Sequence, residues 1–534
     1  MSICTQCGMC TNSGGNTDRL PSLFDSIGPI MTGPSSSHTA GMVRIGRMCR
    51  QLIGGTPDTI DLYFYGALSM TYKGHASDSG VVAGLLGQLE DSPGIKTALQ
   101  TAKAQGIPVV VHRYPDDTSH SPATVDTELT RNGERYRIVG LTIGGGEIQM
   151  SEVDGFPVEL HGSEDGVLFS ASKAYAAAEL SAAVGATFQS CVSTVNDGVY
   201  FHTAISDRSL SEDAMAKLKV FASKVYPLAG LWDFKLVNAE PLVNSFDELL
   251  ARAKASSIPA VAEEFEAQRS GVTREWIRKK TLEAWKTMKA SVVAGLGKNN
   301  LVAGFMPGDD GAKLMKLVNE GKNLSGPIVG TAVARAIGVM EANGSMCCVC
   351  ASPTAGSCGV IPGCLLTSAE QLHSSEDQII DALLVAAMTG VLIAKRAPVS
   401  GALGGCQSEI GVASAMAAAG LVQLAGGTPL QCCEAMALAL KNILGLICDP
   451  VAGPVEIPCI KRNAIGVGNA YVAADMALAG IRSVIPPDEV VDALINTQQL
   501  LPRELRGTLI GGLASTKTAR QLKDVWYKRM EEMG

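Results

Sequence analysis

Two long uncharged runs, ALLVAAMTGVLIA (382–394) and VASAMAAAGLVQLA (412–425), constrain this chain more than any other feature. Both stop short of the roughly 20 residues a membrane span needs. They read as helices buried on all sides, which requires a large helical domain around them. Residues 244–534 are alanine- and leucine-rich with helical periodicity, and are expected to form an all-α catalytic domain. Upstream, TIDLYFYGAL (59–68), IPVVVHRY (107–114) and YRIVGLTIGGGEIQM (136–150) are strand-like runs among helical segments. Residues 22–165 therefore read as an α+β domain. Segment 166–243, read as a helix followed by a strand, is expected to be a small regulatory module or a linker. Residues 1–21 are a polar, glycine-rich, cysteine-containing extension.

Composition narrows the class of protein. At 534 residues the chain exceeds what one core serves, so several domains are expected. A net charge of −8 lacks the basic footprint of a nucleic-acid partner. The N-terminus MSICTQCGMCTNSGG has neither the basic start nor the apolar run of a secretory signal, so a cytoplasmic location without membrane attachment is expected. Fifteen cysteines in such a chain point to metal or redox chemistry more than to disulfides.

Three of them stand out. Cys406 in GGCQSEIG, Cys448 in GLICDPVAG and Cys459 in VEIPCIKRN are each flanked by small or turn-forming residues. That setting suits thiolates gathered at one metal, although a free cysteine also packs as a small buried hydrophobe. Their separations of 42 and 11 residues match no zinc ribbon or local ferredoxin run, so a shared site must be assembled by the fold. MCCVC (346–350), Cys358, Cys364, Cys432 and Cys433 are read as packing residues. CTQCGMC (4–10) begins like a cluster-binding run but is not completed, and reads first as an extension.

Three loops carry further chemistry. GPSSSHT (33–39) sets hydroxyls and an imidazole before a helical pattern, which suits either a carboxylate site or a serine-rich N-cap. KGHASD (73–78) places His75 between a strand and a helix, where it could transfer protons or merely be solvated. SPTAGSCG (352–359) could bring backbone amides to a ligand or could form a turn between helices. Beside the cysteines, Asp449, Lys461, Arg462 and Asn463 are expected to cap or orient the loops, with Lys461 also a candidate to neutralise an anionic centre.

The stretches 27–44, 72–87, 352–363, 405–427 and 442–466 together closely resemble the iron–sulfur-dependent L-serine dehydratases, in the order of a fused β-type and α-type unit. The resemblance implies a [4Fe-4S] cluster on Cys406, Cys448 and Cys459, with one iron open to act as a Lewis acid. It implies Ser35, Ser37, His38 and Thr39, with Thr354, Gly356 and Ser357, as the substrate-binding set. His75 and His38 become the candidate catalytic residues. The implied reaction takes L-serine to pyruvate and ammonia without pyridoxal phosphate, in an oxygen-sensitive enzyme, and a homodimer is expected. Some members use a C-terminal cysteine to cap the open iron, whereas the tail WYKRMEEMG (526–534) has none. A cysteine desulfidase on the same cluster and an iron–sulfur redox sensor are the alternative readings.

Overall fold

The computed structural model describes residues 20–532 apart from 116, 118, 122 and 233–239. Cys4, Cys7 and Cys10 lie outside the described residues.

A short strand β1 (Ile30–Thr32) precedes an α+β unit containing β2 (Thr59–Tyr65), β3 (Val109–Tyr114), β4 (Thr124–Arg131), β5 (Glu134–Gly144), β6 (Glu147–Val153) and β7 (Phe156–Leu160). These last six form one sheet in the order β3-β2-β4-β5-β6-β7, parallel only between β2 and β3. Alternation in TIDLYFY buries Ile60, Leu62 and Phe64 in a core shared with helices Gly41–Leu52 and Ser77–Leu85. Those helices touch through glycines: a Cβ on Gly46 would meet the Val81 carbonyl at 2.1 Å, and one on Gly84 the Val43 carbonyl at 2.1 Å. The run 136–150 is a hairpin of β5 and β6, because Gly144, Gly145 and Gly146 all take positive φ and turn the chain.

Segment 166–243 opens with a strand rather than a helix. Strands β8 (Asp165–Ala171), β9 (Phe188–Asn196), β10 (Val199–Ser206) and β11 (Lys224–Leu228) form an antiparallel sheet in the order β11-β8-β10-β9. Helices Ala177–Val184 and Glu212–Leu218 connect them in a β-α-β-β-α-β, ferredoxin-like arrangement. In β8, Val167 and Phe169 face these helices while Leu168 enters the core of the six-stranded unit. A strand buried on both faces reads as a continuous apolar run, which periodicity does not separate from a helix.

From Phe246 onward the chain is helical apart from β12 (Cys348–Cys350). At its centre, every residue of helix Val412–Leu424 except Gln423 is buried. Helix Glu376–Ala394 is 19 residues, longer than the run read from the sequence and apolar enough to cross a membrane, but most of it is buried in the bundle. Cys364, Cys432 and Cys433 lie in this core, and Cys358 packs its Sγ 3.6 Å from Met340 Sδ. The N-terminal edge joins the same half: Leu23 and Ile27 enter the helical core, and β1 pairs antiparallel with β12 through Ile30–Cys350 and Thr32–Cys348.

Candidate functional site

Four loops meet where the two halves touch. The first, 33–40, leads into helix Gly41–Leu52. Its Ser35 is an extended N-cap whose Oγ accepts from the His38 N–H (3.1 Å), and the Ser35 N–H donates to Thr39 Oγ1 (3.1 Å). Thr39 Oγ1 in turn donates to the His75 carbonyl (2.6 Å), and Ser37 Oγ lies 3.1 Å from His38 Nδ1. The hydroxyls of Ser35 and Thr39 thus hold the loop together and fasten it to the second loop.

That second loop, 72–76, ends at Ala76 in the left-handed region (φ 51) and presents His75 to His38, rings stacked 4.9 Å apart. His75 Nδ1 is buried without a hydrogen-bond partner among the described residues, and the ring lies against the Gly453 backbone. Burial pushes the His38 imidazole down to about 4 and that of His75 to about 3, the latter assisted by His38. Lys73 and Asp78 are not loose surface charges: they pair at 3.0 Å, largely buried.

The third loop, 352–359, is tied to the first by the Ala355 N–H donating to Ser36 Oγ (3.3 Å), and Asn343 Nδ2 donates to the Pro34 and Ala355 carbonyls (2.9 and 3.2 Å). Ser357 Oγ turns inward to the Ser352 carbonyl (2.9 Å), whereas Thr354 Oγ1 donates outward to Glu409 Oε1 (3.0 Å). Both Glu409 oxygens lie 3.3 Å from where a Gly356 Cβ would stand.

The cysteines supply the fourth wall. Cys406 precedes a π-turn, Gln407–Gly411; Cys448 sits in the loop before helix Cys459–Leu478, which Cys459 begins. Ligand atoms of Cys406, Cys448 and Glu409 lie within 4.8 Å of one another. Contact with Cys406 and burial raise the Cys448 thiol well above its ordinary range; burial, then Cys406 and Glu409, do the same for Cys459. Burial also raises the Glu409 carboxyl, against hydrogen bonds from Thr354 and the Gly401 N–H. A Cβ on Gly401 would stand 3.1 Å from Cys448 Sγ and 2.6 Å from Glu409 Oε2, so hydrogen alone fits there.

Around them, Arg462 donates to Cys406 Sγ (3.5 Å) and the Ile447 carbonyl (2.8 Å), and pairs with Asp449 (2.7 Å). Asn463 Nδ2 donates to the carbonyls of Cys459 and Gly356 (both 3.0 Å). Lys461 departs from its expected place: it is exposed, 3.5 Å from Asp310, and lines a cavity of about 430 Å³ with Phe305 and Pro458. Soft sulfur donors gathered from distant loops are a fit for a thiophilic metal or an iron–sulfur centre, and no fit for a hard, oxygen-seeking cation.

Glu409, Ser36 and Asn343 were missed in the sequence. A carboxylate three residues after Cys406, at the lip of an uncharged buried helix, was the available signal for the first of them.

The serine dehydratase alpha-chain model matches residues 248–514 and the beta-chain model residues 22–115. A probable L-serine dehydratase alpha chain of Bacillus subtilis is 49% identical over 263 residues, covering 49% of this chain and 87% of the relative. The L-serine dehydratase alpha chain of Peptoniphilus asaccharolyticus is 40% identical over 50% of this chain and 91% of its own length. The L-serine dehydratase TdcG of Escherichia coli is 30% identical over 502 residues, covering 92% of this chain and 98% of the relative. With both units matched in order and full-length relatives spanning the join, this chain belongs to the serine dehydratase family as a single polypeptide that fuses the beta-type and alpha-type units.

Proposed function

We propose that this chain is an L-serine dehydratase, converting L-serine to pyruvate and ammonia where the four loops meet. The observation that carries the reading is the gathering of thiols distant in sequence on loops hydrogen-bonded, through Thr354 and Ala355, to loop 33–40, whose His38 stacks on His75. Cys406, Cys448 and Cys459 would hold a [4Fe-4S] cluster, whose open iron supplies a Lewis acid for the departing β-hydroxyl.

The chain's own groups do the rest. Backbone N–H groups and hydroxyls of loops 33–40 and 352–359, with Ser37, His38, Thr354 and Gly356 among them, receive the substrate carboxylate. Ser35, Thr39 and Ser357 keep those loops in shape through their internal hydrogen bonds. His75 Nδ1 takes the α-proton. In the neutral ring Nδ1 carries the lone pair when the proton is on the other nitrogen, and no protein group occupies Nδ1 among the described residues. The proton held there balances the hydroxide lost, so water is the net leaving group. The aminoacrylate tautomerises to an imine, which hydrolyses to pyruvate and ammonia.

Anaerobic reconstitution tests the reading. The intact chain should bind about four irons and release pyruvate from L-serine, and Cys406→Ala, Cys448→Ala and Cys459→Ala should each abolish turnover. Iron binding with sulfide release from L-cysteine and no pyruvate from L-serine would shift the reading to a desulfidase. Full turnover without iron would refute the cluster chemistry.

A further inference from the structure

L-Serine brings two charges into the site, a carboxylate and an ammonium, and the loops above account for the first alone. The buried carboxylates around them are nearly all occupied. Asp78 pairs with Lys73, Glu90 with Arg44 and Arg47, and Asp449 with Arg462. Glu456 accepts the N–H groups of Ala303, Gly304 and Phe305, and Glu341 those of Asp310 and Gly311. Glu409 differs. Among the described residues it has no ion-pair partner, and it accepts one hydroxyl, from Thr354, and one backbone N–H, from Gly401. A carboxylate has about four acceptor positions, so roughly two remain open. Its position is also distinctive: it stands between Gly356 of the substrate-facing loop and the sulfur atoms of Cys406 and Cys448. An ammonium arriving there meets a carboxylate beside sulfur acceptors, and Gly356 and Gly401 carry no side chain to block it.

We propose that Glu409 seats the α-ammonium group of the substrate, so that the site selects β-hydroxy α-amino acids over β-hydroxy acids lacking the amine. This role rests on the dehydratase reading. With the ammonium on Glu409 and the carboxylate on loops 33–40 and 352–359, two of the four substituents of the α-carbon are fixed, and the α-hydrogen has one orientation toward His75. Three-point attachment of this kind makes the site selective for one enantiomer.

The test compares two ligands on the anaerobically reconstituted holoenzyme, L-serine and 3-hydroxypropanoate, which keeps the carboxylate and β-hydroxyl but lacks the ammonium. In Glu409→Gln the KM for L-serine should rise roughly 10- to 100-fold, the range for a hydrogen bond to a charged group, while inhibition by 3-hydroxypropanoate stays within about twofold of wild type. Iron content should match wild type. Equal weakening of both ligands would make Glu409 a structural brace, and loss of iron would make it a metal ligand; either result overturns the proposal. Should the variant not accumulate as folded protein, the wild type still decides, since equal affinity for the two ligands overturns the ammonium seat. Failure of wild-type protein to turn over L-serine is a separate result, and removes the dehydratase reading itself.

Discussion

His38 and His75 set the pH range this site tolerates. Folding keeps both imidazoles neutral, with pKa values near 4 and 3, whereas in the unfolded chain they titrate near 6.5. Below pH 6.5 the unfolded state therefore binds more protons. Stability is fully present above that pH and falls as pH drops toward the folded values, by at most about 1.4 kcal/mol per pH unit for each imidazole. The thermal midpoint should decline between pH 7 and pH 5, and His75→Asn should flatten the decline; an unchanged slope in the variant would refute its burial as a neutral base. In kinetics, His75→Asn should lower kcat by about 10²- to 10⁴-fold with little change in KM, the expectation for a general base. A rise in KM alone would make it a binding residue. At this scale unusual flanks singled out three of the fifteen cysteines, and the structure brings two of those, Cys406 and Cys448, within 4.8 Å of each other. The sequence was ambiguous where one residue serves two ends: the serines and threonine of GPSSSHT suit an N-cap and a ligand loop equally, and the structure uses Ser35 and Thr39 as loop braces.

The loop carrying Cys448 is clamped by the chain's last elements. The Cys448 N–H donates to the Leu505 carbonyl (2.9 Å), and its carbonyl accepts from Gly507 (2.6 Å). Asp449 Oδ2 accepts from the Leu513 N–H (2.7 Å). Gly512 makes this possible: its φ is +56, and a Cβ there would stand 2.4 Å from Asp449 Oδ2. Gly512→Ala should therefore displace Asp449, loosen Arg462 from Cys406, and speed iron release to a chelator while far-ultraviolet circular dichroism stays unchanged. Release at the wild-type rate would show that the clamp does not support the metal. None of this was readable from residues 505–513, because the clamp is built from backbone groups, the Asp449 carboxylate and one turn glycine. The elements themselves were legible where one face is wet, as in β2, and misread where both faces are buried, as in β8.

Over the whole molecule, the fused halves share a seam at the start of the chain. Residues 22–32 lie between the helical domain and loop 33–40, and their anchor is Glu266, which is completely buried. Its carboxylate accepts from Ser22 Oγ (2.9 Å), the Leu23 N–H (2.8 Å), Ser270 Oγ (2.5 Å) and Arg269 (3.2 Å), while Arg269 Nε donates to the Leu20 carbonyl (2.6 Å). Removing the carboxylate breaks its buried pair with Arg269 and takes the acceptor from Ser22, Leu23 and Ser270, a destabilising change. Glu266→Ala should thus lower the thermal midpoint, and its effect should travel. Once Leu23 and Ile27 loosen from the helical core, β1 loses its hold on β12, and loop 33–40 follows directly in the chain. The expected result is a raised KM for L-serine with iron content unchanged, since the cysteines lie on elements that do not touch Glu266. Glu266→Gln, which keeps an acceptor for Ser22 and Leu23, should fall between the variant and wild type. If Glu266→Ala loses stability but keeps its KM, the seam holds the halves together without setting the substrate loop, and the geometry of loop 33–40 must then rest on Ser36, Asn343 and Ala355 alone.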